Sequence, residues 1–288
     1  MKPPSFAYRD PATLEDALAL LAANADARPL AGGQSLMPML NFRLVHPPMI
    51  VDLNRISALA GIVIGADGVN IGAMTRQRDA ERHAGLARDW ALLMEALRHV
   101  GHIQTRSRGT VGGSLAHNDP AAELPAVMLA LDAVMIVRSA VGTRKIAATD
   151  FFVSLLTTAL KAGELLVSIH LPHPPRHAGF GFAEIARRHG DFALAAAAVV
   201  VSRGGNHARV VATGMGEGPR RILEAEAALV EGKFSDAAIT AAAAAVSTAV
   251  EPVDDLHAPA WYRKKIAGVM AARACRDAIT RMAGQTNE

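Results

Sequence analysis

Apolar positions recur at helical spacing between Thr13 and Ala25, where Leu14, Ala17, Leu18, Leu20 and Leu21 follow a Pro-Ala-Thr start, so an amphipathic helix is predicted there. A short strand at Arg28 to Leu30 then runs into Ala31-Gly32-Gly33-Gln34-Ser35, and Met49-Ile50-Val51-Asp52-Leu53 reads as a second buried strand, giving a βαβ-like opening unit. Ile62 to Ile64 and Val69 to Gly72 flank Gly65-Ala66-Asp67-Gly68, whose Asp-Gly step signals a hairpin. A helical segment from Trp90 to Val100 precedes a second glycine cluster at Gly109 to Gly113. Ala121 to Leu131 reads as a buried helix, Ala133 to Arg138 as a strand followed by a loop through Gly142, and Leu165 to Leu171 as a strand halted by Pro172. His173-Pro174-Pro175 suggests a boundary near residue 175. Beyond it, Ala195 to Ser202 and His207 to Ala212 are strands joined by a Gly204-Gly205-Asn206 turn, and the chain closes with helices over Ala237 to Val250 and Trp261 to Met282. The class is α+β, without repeats or low-complexity tracts.

A chain of 288 residues, 51% hydrophobic, can bury a sizeable core. Its 30 Lys and Arg nearly balance 27 Asp and Glu, and no basic run resembles a nucleic-acid arm or a membrane patch. The longest strongly apolar stretch, Ala193 to Val201, is about half of what a transmembrane helix requires, and Met1-Lys2-Pro3-Pro4 does not open a signal segment; a cytoplasmic location is expected. The single cysteine, Cys275, rules out an internal disulfide and argues against a self-contained iron–sulfur or zinc–thiolate centre. His99 with His102, and His170 with His173 and His177, lack a carboxylate-rich partner motif, so no metal site is expected. His117 beside Asp119 is expected to serve local hydrogen bonding, and Arg187 and Arg188 are either solvated charges or contacts to phosphate or a partner.

The candidate chemistry lies in the two glycine clusters. A Gly-Gly pair after a strand lets main-chain N–H groups turn toward a phosphate without Cβ obstruction, and Ser35 adds a hydroxyl; by itself such a pair is more often just a turn. The second cluster, Arg108 to Pro120, repeats the design with Thr110 and Ser114. Two separated nests suit the two phosphates of a dinucleotide. Neither fits the Gly-x-Gly-x-x-Gly fingerprint, and no P-loop ending is present.

Ala-Gly-Gly-Gln-Ser-Leu-Met-Pro (31 to 38) and Arg-Gly-Thr-Val-Gly-Gly-Ser-Leu-Ala-His-Asn-Asp-Pro (108 to 120) resemble the two FAD pyrophosphate loops of molybdenum-hydroxylase flavin subunits. This is the medium-subunit family of carbon monoxide dehydrogenase, related to the flavin domain of xanthine dehydrogenase. The likeness continues through residues 71 to 75, 163 to 169 and 187 to 193 and covers nearly the whole chain. It implies a two-subdomain FAD-binding fold of the vanillyl-alcohol-oxidase/PCMH type, with a βαβ-like FAD-binding subdomain over residues 1–54 and a second over 55–175. A C-terminal α+β subdomain over 176–288 would cover the flavin. It also implies that Ala31, Gly32, Gly33, Gln34, Ser35 and Leu36, with Thr110, Val111, Gly112, Gly113, Ser114 and Ala116, hold the cofactor. Thr75 would lie near the flavin, Glu123 where relatives place an aspartate near the ribityl chain or ring, and Leu166 against the flavin. Asp191 and Phe192 would stand at the ring edge and face; many relatives have Tyr in place of Phe192, which puts a phenolic hydrogen bond there in doubt.

By the same resemblance the chain is an electron-transfer subunit without catalytic residues for the hydroxylation itself. Electrons would pass from a molybdenum cofactor in a large subunit, through two [2Fe–2S] clusters in a small subunit, to noncovalent FAD here and on to an external acceptor. The expected assembly is a heterotrimer or its dimer. Gln34, where carbon monoxide oxidisers commonly carry His, tilts the expectation toward an organic substrate such as an N-heteroaromatic compound. A stand-alone flavin oxidoreductase or a non-catalytic FAD-binding module are the alternatives; turnover without partners marks the first, and the lack of co-purifying molybdenum and iron the second.

Overall fold

The computed structural model describes residues 1–204 and 206–284. Its three main sheets follow one another along the chain. The first is parallel, in the order β1 (Ala7–Arg9), β3 (Met49–Asp52), β2 (Arg28–Leu30). Two of these strands are expected from the sequence; β1 is three residues long and too short to carry a periodic signal. The helix Leu14–Ala23 is capped by Thr13, whose hydroxyl accepts from Asp16 N–H at 3.1 Å, and a further short helix, Leu36–Asn41, follows the first glycine pair.

The second sheet is antiparallel, in the order β4 (Ile62–Gly65), β5 (Gly68–Gly72), β10 (Leu165–Pro172), β6 (Val134–Ser139), β7 (Gly142–Ala147). The β4–β5 hairpin turns where it was read, with Gly65 paired to Gly68 across Ala66-Asp67. The loop expected after Arg138 is instead a second hairpin, with Ser139 paired to Gly142, because Gly142 opens β7 directly. A small ribbon, β8 (Phe152–Ser154) with β9 (Thr157–Thr158), lies between.

The third sheet is antiparallel, β11 (Gly179–Ala186), β12 (Ala193–Ser202), β13 (His207–Thr213), β14 (Arg220–Arg221). Every residue of β12 is buried. Ala196, Ala198 and Val200 face one core, and Ala195, Ala197, Val199 and Val201 face another. A strand covered on both faces reads as a continuous apolar run, which is why alternation is missing from it. Gly205, at the expected β12–β13 turn, lies outside the described residues.

One core joins the second sheet and the helices Ala91–Leu97 and Glu123–Ala130 to a face of the third sheet. The other lies between the third sheet's opposite face and the helices Leu223–Glu231, Asp236–Ala249 and Ala260–Gly284. A smaller cluster around Leu18, Leu21 and Val51 reaches Met74, Leu165 and Val167, so the first sheet is keyed to the second. Cys275 is fully buried in the C-terminal core and burial pushes its thiol up to about 12, as suits a packed thiol.

The long C-terminal helix sits directly on β11 because Gly179 and Gly181 present no side chain to it. A Cβ at Gly181 would meet the Ala274 carbonyl and lie 2.8 Å from its carbon, which backbone cannot yield to. Gly181→Ala is therefore expected to destabilise the chain by roughly 1–3 kcal/mol, measured by chemical denaturation. An unchanged midpoint would contradict this packing.

Candidate functional site

The two glycine clusters, more than 70 residues apart in sequence, touch. A Cβ at Gly32 would meet the Arg108 carbonyl oxygen and come within 2.8 Å of Gly109 Cα, and a Cβ at Gly113 would lie 3.3 Å from Ala31 Cβ. Gly32 is buried, whereas Gln34 and Ser35 are exposed and Leu36 is half-buried. Gly33 takes φ +75°, a conformation that favours glycine. Among the described residues, the backbone N–H groups of Gly32, Gly33, Gln34 and Ser35 donate to no protein acceptor. Residues 31–34 of this cluster border a cavity of about 460 Å³ that Met37, Pro38, Asn41, Asp52, Asn54 and Arg108 also line.

The second cluster is built differently from the nest expected of it. Thr110 caps the helix Val111–His117, its hydroxyl accepting from Gly113 N–H at 3.0 Å. Val111 N–H donates to Thr75 O at 3.0 Å, Gly112 N–H to Ala73 O at 2.9 Å and Ser114 N–H to Thr110 O at 3.2 Å. These amides are occupied by the fold, and residues 110–114 do not line the cavity. Gly112 is required because a Cβ would strike Ala73. The cluster thus braces the first loop, and Ser114 and Ala116 are its more accessible positions. Asn118 ends the helix in the left-handed region and donates its amide to Ser154 O (2.8 Å) and Thr157 O (2.9 Å), tying this helix to the β8–β9 ribbon.

Residues outside the sequence expectation stitch the clusters together. The Arg76 guanidinium donates to the Arg108 carbonyl and, at 2.6 Å, to Asn54 Oδ1; Asn54 in turn donates to Ala31 O at 3.0 Å. Burial, and then the neighbouring Arg108, hold the Arg76 pKa below the ordinary arginine value, with Asp79 and Asp52 opposing. Arg108 lines the cavity beside the unengaged amides, a combination complementary to an anion such as a diphosphate. Arg108 opens the second motif and Arg76 follows Thr75, so the motifs were the available signal for both; Asn54 carried none.

The other expected residues lie elsewhere. Thr75 is buried and its hydroxyl is engaged with both Gly61 O and Gly61 N–H at 3.0 Å, so it acts as a brace. Leu166 is packed in the central core next to a bulge in β10. Asp191 and Phe192 are exposed, Phe192 by 69%. The His117 side chain makes no hydrogen bond among the described residues, contrary to expectation: it is partly buried, which lowers its pKa, with Asp119 pulling the other way. Glu123 is 6% exposed, and burial raises its pKa to about 7. Near it, and not anticipated from the sequence, is Glu184, raised to about 8 by burial and by Glu123.

Comparison with known proteins places these features in context. Residues 4–174 match the family model for the FAD binding domain in molybdopterin dehydrogenase, and residues 180–278 match the carbon monoxide dehydrogenase flavoprotein C-terminal domain. The chain is 41% identical to the 6-hydroxypseudooxynicotine dehydrogenase complex subunit alpha of Paenarthrobacter nicotinovorans, over 98% of this chain and 97% of that one. Among solved structures it resembles carbon monoxide dehydrogenase from Hydrogenophaga pseudoflava, with a TM-score of 0.95 at 36% identity, covering 98% of this chain and 99% of that one. It also resembles quinoline 2-oxidoreductase from Pseudomonas putida 86, with a TM-score of 0.91 at 37% identity and 99% coverage of both chains.

Two outcomes follow. Arg76→Ala leaves the Arg108 and Ala31 carbonyl regions unstitched and should weaken FAD binding roughly 10- to 100-fold in a titration of the apoprotein, the loss of one or two charge-assisted hydrogen bonds; unchanged affinity would contradict the bracket. Glu123 and Glu184 keep protons in the fold that an unfolded chain loses near 4.5, so their contribution to stability is complete below that pH and is lost as pH rises through about 7 and about 8. Glu184→Gln, which imitates the protonated form, should therefore gain stability relative to the parent by about 2 kcal/mol between pH 5 and pH 8.5 in denaturant titrations. A difference independent of pH would contradict the burial of that carboxyl.

Proposed function

This chain belongs to the FAD-binding medium subunits of the molybdenum hydroxylases, and from that premise we propose that its two glycine clusters hold the FAD diphosphate, the first by direct amide contact and the second as its brace. The observation that carries the reading is the contact of Gly32 with Arg108 and Gly109 beside unengaged amides and a cavity. Ala31 to Leu36 and Arg108 bind the phosphates, and Thr110 through Ser114 fix the first loop's shape, with the Ser114 hydroxyl and Ala116 facing the cofactor. Thr75 acts through the Gly61 contact, and Glu123, Leu166, Asp191 and Phe192 border the ring. The subdomain division at residues 54 and 175 belongs to the same proposal, the last unit covering the flavin.

Bound FAD supplies two-electron to one-electron redox exchange. The chain's own residues bind it without a covalent bond, orient it and shield it from water. The chain is an electron-transfer component of a multisubunit oxidoreductase. Within it we assign [2Fe–2S] clusters to a small subunit and the molybdenum cofactor to a large one, in a heterotrimer or a dimer of heterotrimers in the cytoplasm. No helix of the described residues is long and apolar enough to cross a membrane. An N-heteroaromatic substrate, hydroxylated in the large subunit, is favoured by Gln34 and by the alkaloid and quinoline enzymes among the relatives.

Gly32→Ala, which forces a Cβ into the Arg108 carbonyl, should reduce FAD content to roughly a tenth or less of the parent's after gel filtration, judged by flavin absorbance of correctly folded protein. Full retention would contradict the assignment of this loop. Co-expression with its neighbouring subunits should yield a complex holding molybdenum and iron alongside FAD. Substrate turnover by the chain alone would instead favour the stand-alone reading.

A further inference from the structure

Strands β2 and β3 are parallel neighbours whose carboxyl ends come level: Leu30 is paired with Asp52, and Leu53 N–H donates to Leu30 O at 3.0 Å. Ligands of open parallel sheets bind at that edge, in the crevice outside the strand ends. Here the edge opens on the cavity of about 460 Å³, within the span of roughly 300–1,000 Å³ usual for small-molecule sites. Its lining takes donors from the β2 side, the unengaged N–H groups of Gly32, Gly33 and Gln34, and an acid from the β3 side, Asp52. Leu30, Met37 and Pro38 supply apolar surface. Asp52 stands 20 residues beyond Gly32. An acid about 20 residues past the glycine loop is how sheets with the Gly-x-Gly-x-x-Gly fingerprint hold a ribose hydroxyl. This chain reaches a similar placement without that fingerprint.

Three donors fix the Asp52 carboxylate. The Tyr8 hydroxyl donates to Oδ2 at 2.6 Å, and Asn54 donates to Oδ1 from its backbone N–H at 2.9 Å and from its side-chain amide at 2.5 Å. An ionised carboxylate has about four acceptor positions, so one on Oδ2 is left for a ligand. The hydrogen bond to Asp52 is the main cause that pushes the Tyr8 phenol up to about 12, so Tyr8 stays protonated and keeps the carboxylate in place. No ion pair reaches Asp52 among the described residues, and Arg55, close in sequence, is bound to Asp10 at 3.1 Å. The Asp52 charge is therefore open to a hydrogen-bond donor and hostile to a second anion.

None of Glu123, Leu166, Asp191 and Phe192 lines this cavity. With the ring assigned to those residues, the half of the dinucleotide left for the edge of β2 and β3 is the other one. We propose that the cavity takes the adenosine half of FAD, with Asp52 accepting a hydrogen bond from a ribose hydroxyl and rejecting a phosphate in its place. This deepens, and rests on, the reading that the first glycine loop holds the diphosphate. The amides and Arg108 serve the diphosphate, Leu30, Met37 and Pro38 the base, and Asp52 the ribose. Selection is thus built into the lining: a nucleotide that lacks the hydroxyl leaves the carboxylate without its donor, and one that carries a phosphate there meets a like charge.

The test is displacement of FAD from the full chain by ADP, 2′-deoxy-ADP, 3′-deoxy-ADP and 2′-phospho-ADP, followed by flavin fluorescence. In the parent, at least one deoxy analogue should bind roughly tenfold more weakly than ADP, the loss of one hydrogen bond to a charged group. The 2′-phospho analogue should bind at least about 100-fold more weakly, through like-charge repulsion. In Asp52→Asn, which keeps the shape of the side chain and removes its charge, the 2′-phospho penalty should shrink to within about threefold while ADP still displaces FAD. Equal displacement by ADP and all three analogues in the parent would overturn the proposal, and that measurement needs no variant to fold. A 2′-phospho penalty of unchanged size in Asp52→Asn would overturn it as well. Failure of ADP itself to displace FAD from the parent would overturn the diphosphate reading and this proposal with it, so the two failures are distinguishable.

Discussion

Backbone meets backbone where Gly32 lies against Arg108 and Gly109, and the rest of the site depends on that contact. No side chain fits between the two segments, so only glycine at position 32 lets the β2 loop close on the approach to the Val111–His117 helix. Once closed, the loops share their work unequally. The second cluster turns its amides inward, to Thr75, Ala73 and Thr110, and becomes rigid. The first leaves its amides facing a cavity. Rigidity on one side and unengaged donors on the other is what an anion-binding loop needs, since donors fixed before binding lose little entropy when the ligand arrives.

A second constraint acts at a distance. β12 is buried on both faces by small residues, which lets the third sheet serve two cores at once. The neighbouring strand β11 also carries Glu184, an acid whose pKa burial raises, with Glu123 adding to the effect. Keeping such an acid poorly solvated is costly in electrostatic terms. A cost of that kind is tolerated most readily where a charge or proton has a task.

Elements with strong local signals were legible in the sequence. Thr13 and the spaced leucines gave the first helix, the Gly65-to-Gly68 stretch the β4–β5 turn, and the two glycine clusters, read as a pair, lie against each other. What escaped has a physical reason in each case. β1 is three residues long and gains its order from pairing with β3, more than forty residues away. β7 looked like loop because its residues alternate weakly and only one, Ile146, is buried. Thr75 stood in a motif that suggested ligand contact, yet the fold engages its hydroxyl with Gly61, and the His117 side chain, expected to bond locally, makes no hydrogen bond among the described residues. Asn54, Arg76 and Glu184 acquire meaning only from partners far away in the chain, and no spacing rule carries that information.

The claim that the loops recognise a diphosphate is tested most directly by equilibrium titration of the full apoprotein with FAD, FMN and riboflavin, with ADP as competitor. Shared amide and guanidinium contacts to two phosphates predict that FAD binds at least about 100-fold more tightly than FMN, and that ADP displaces it. Equal affinity for FAD and FMN, or indifference to ADP, would contradict the account.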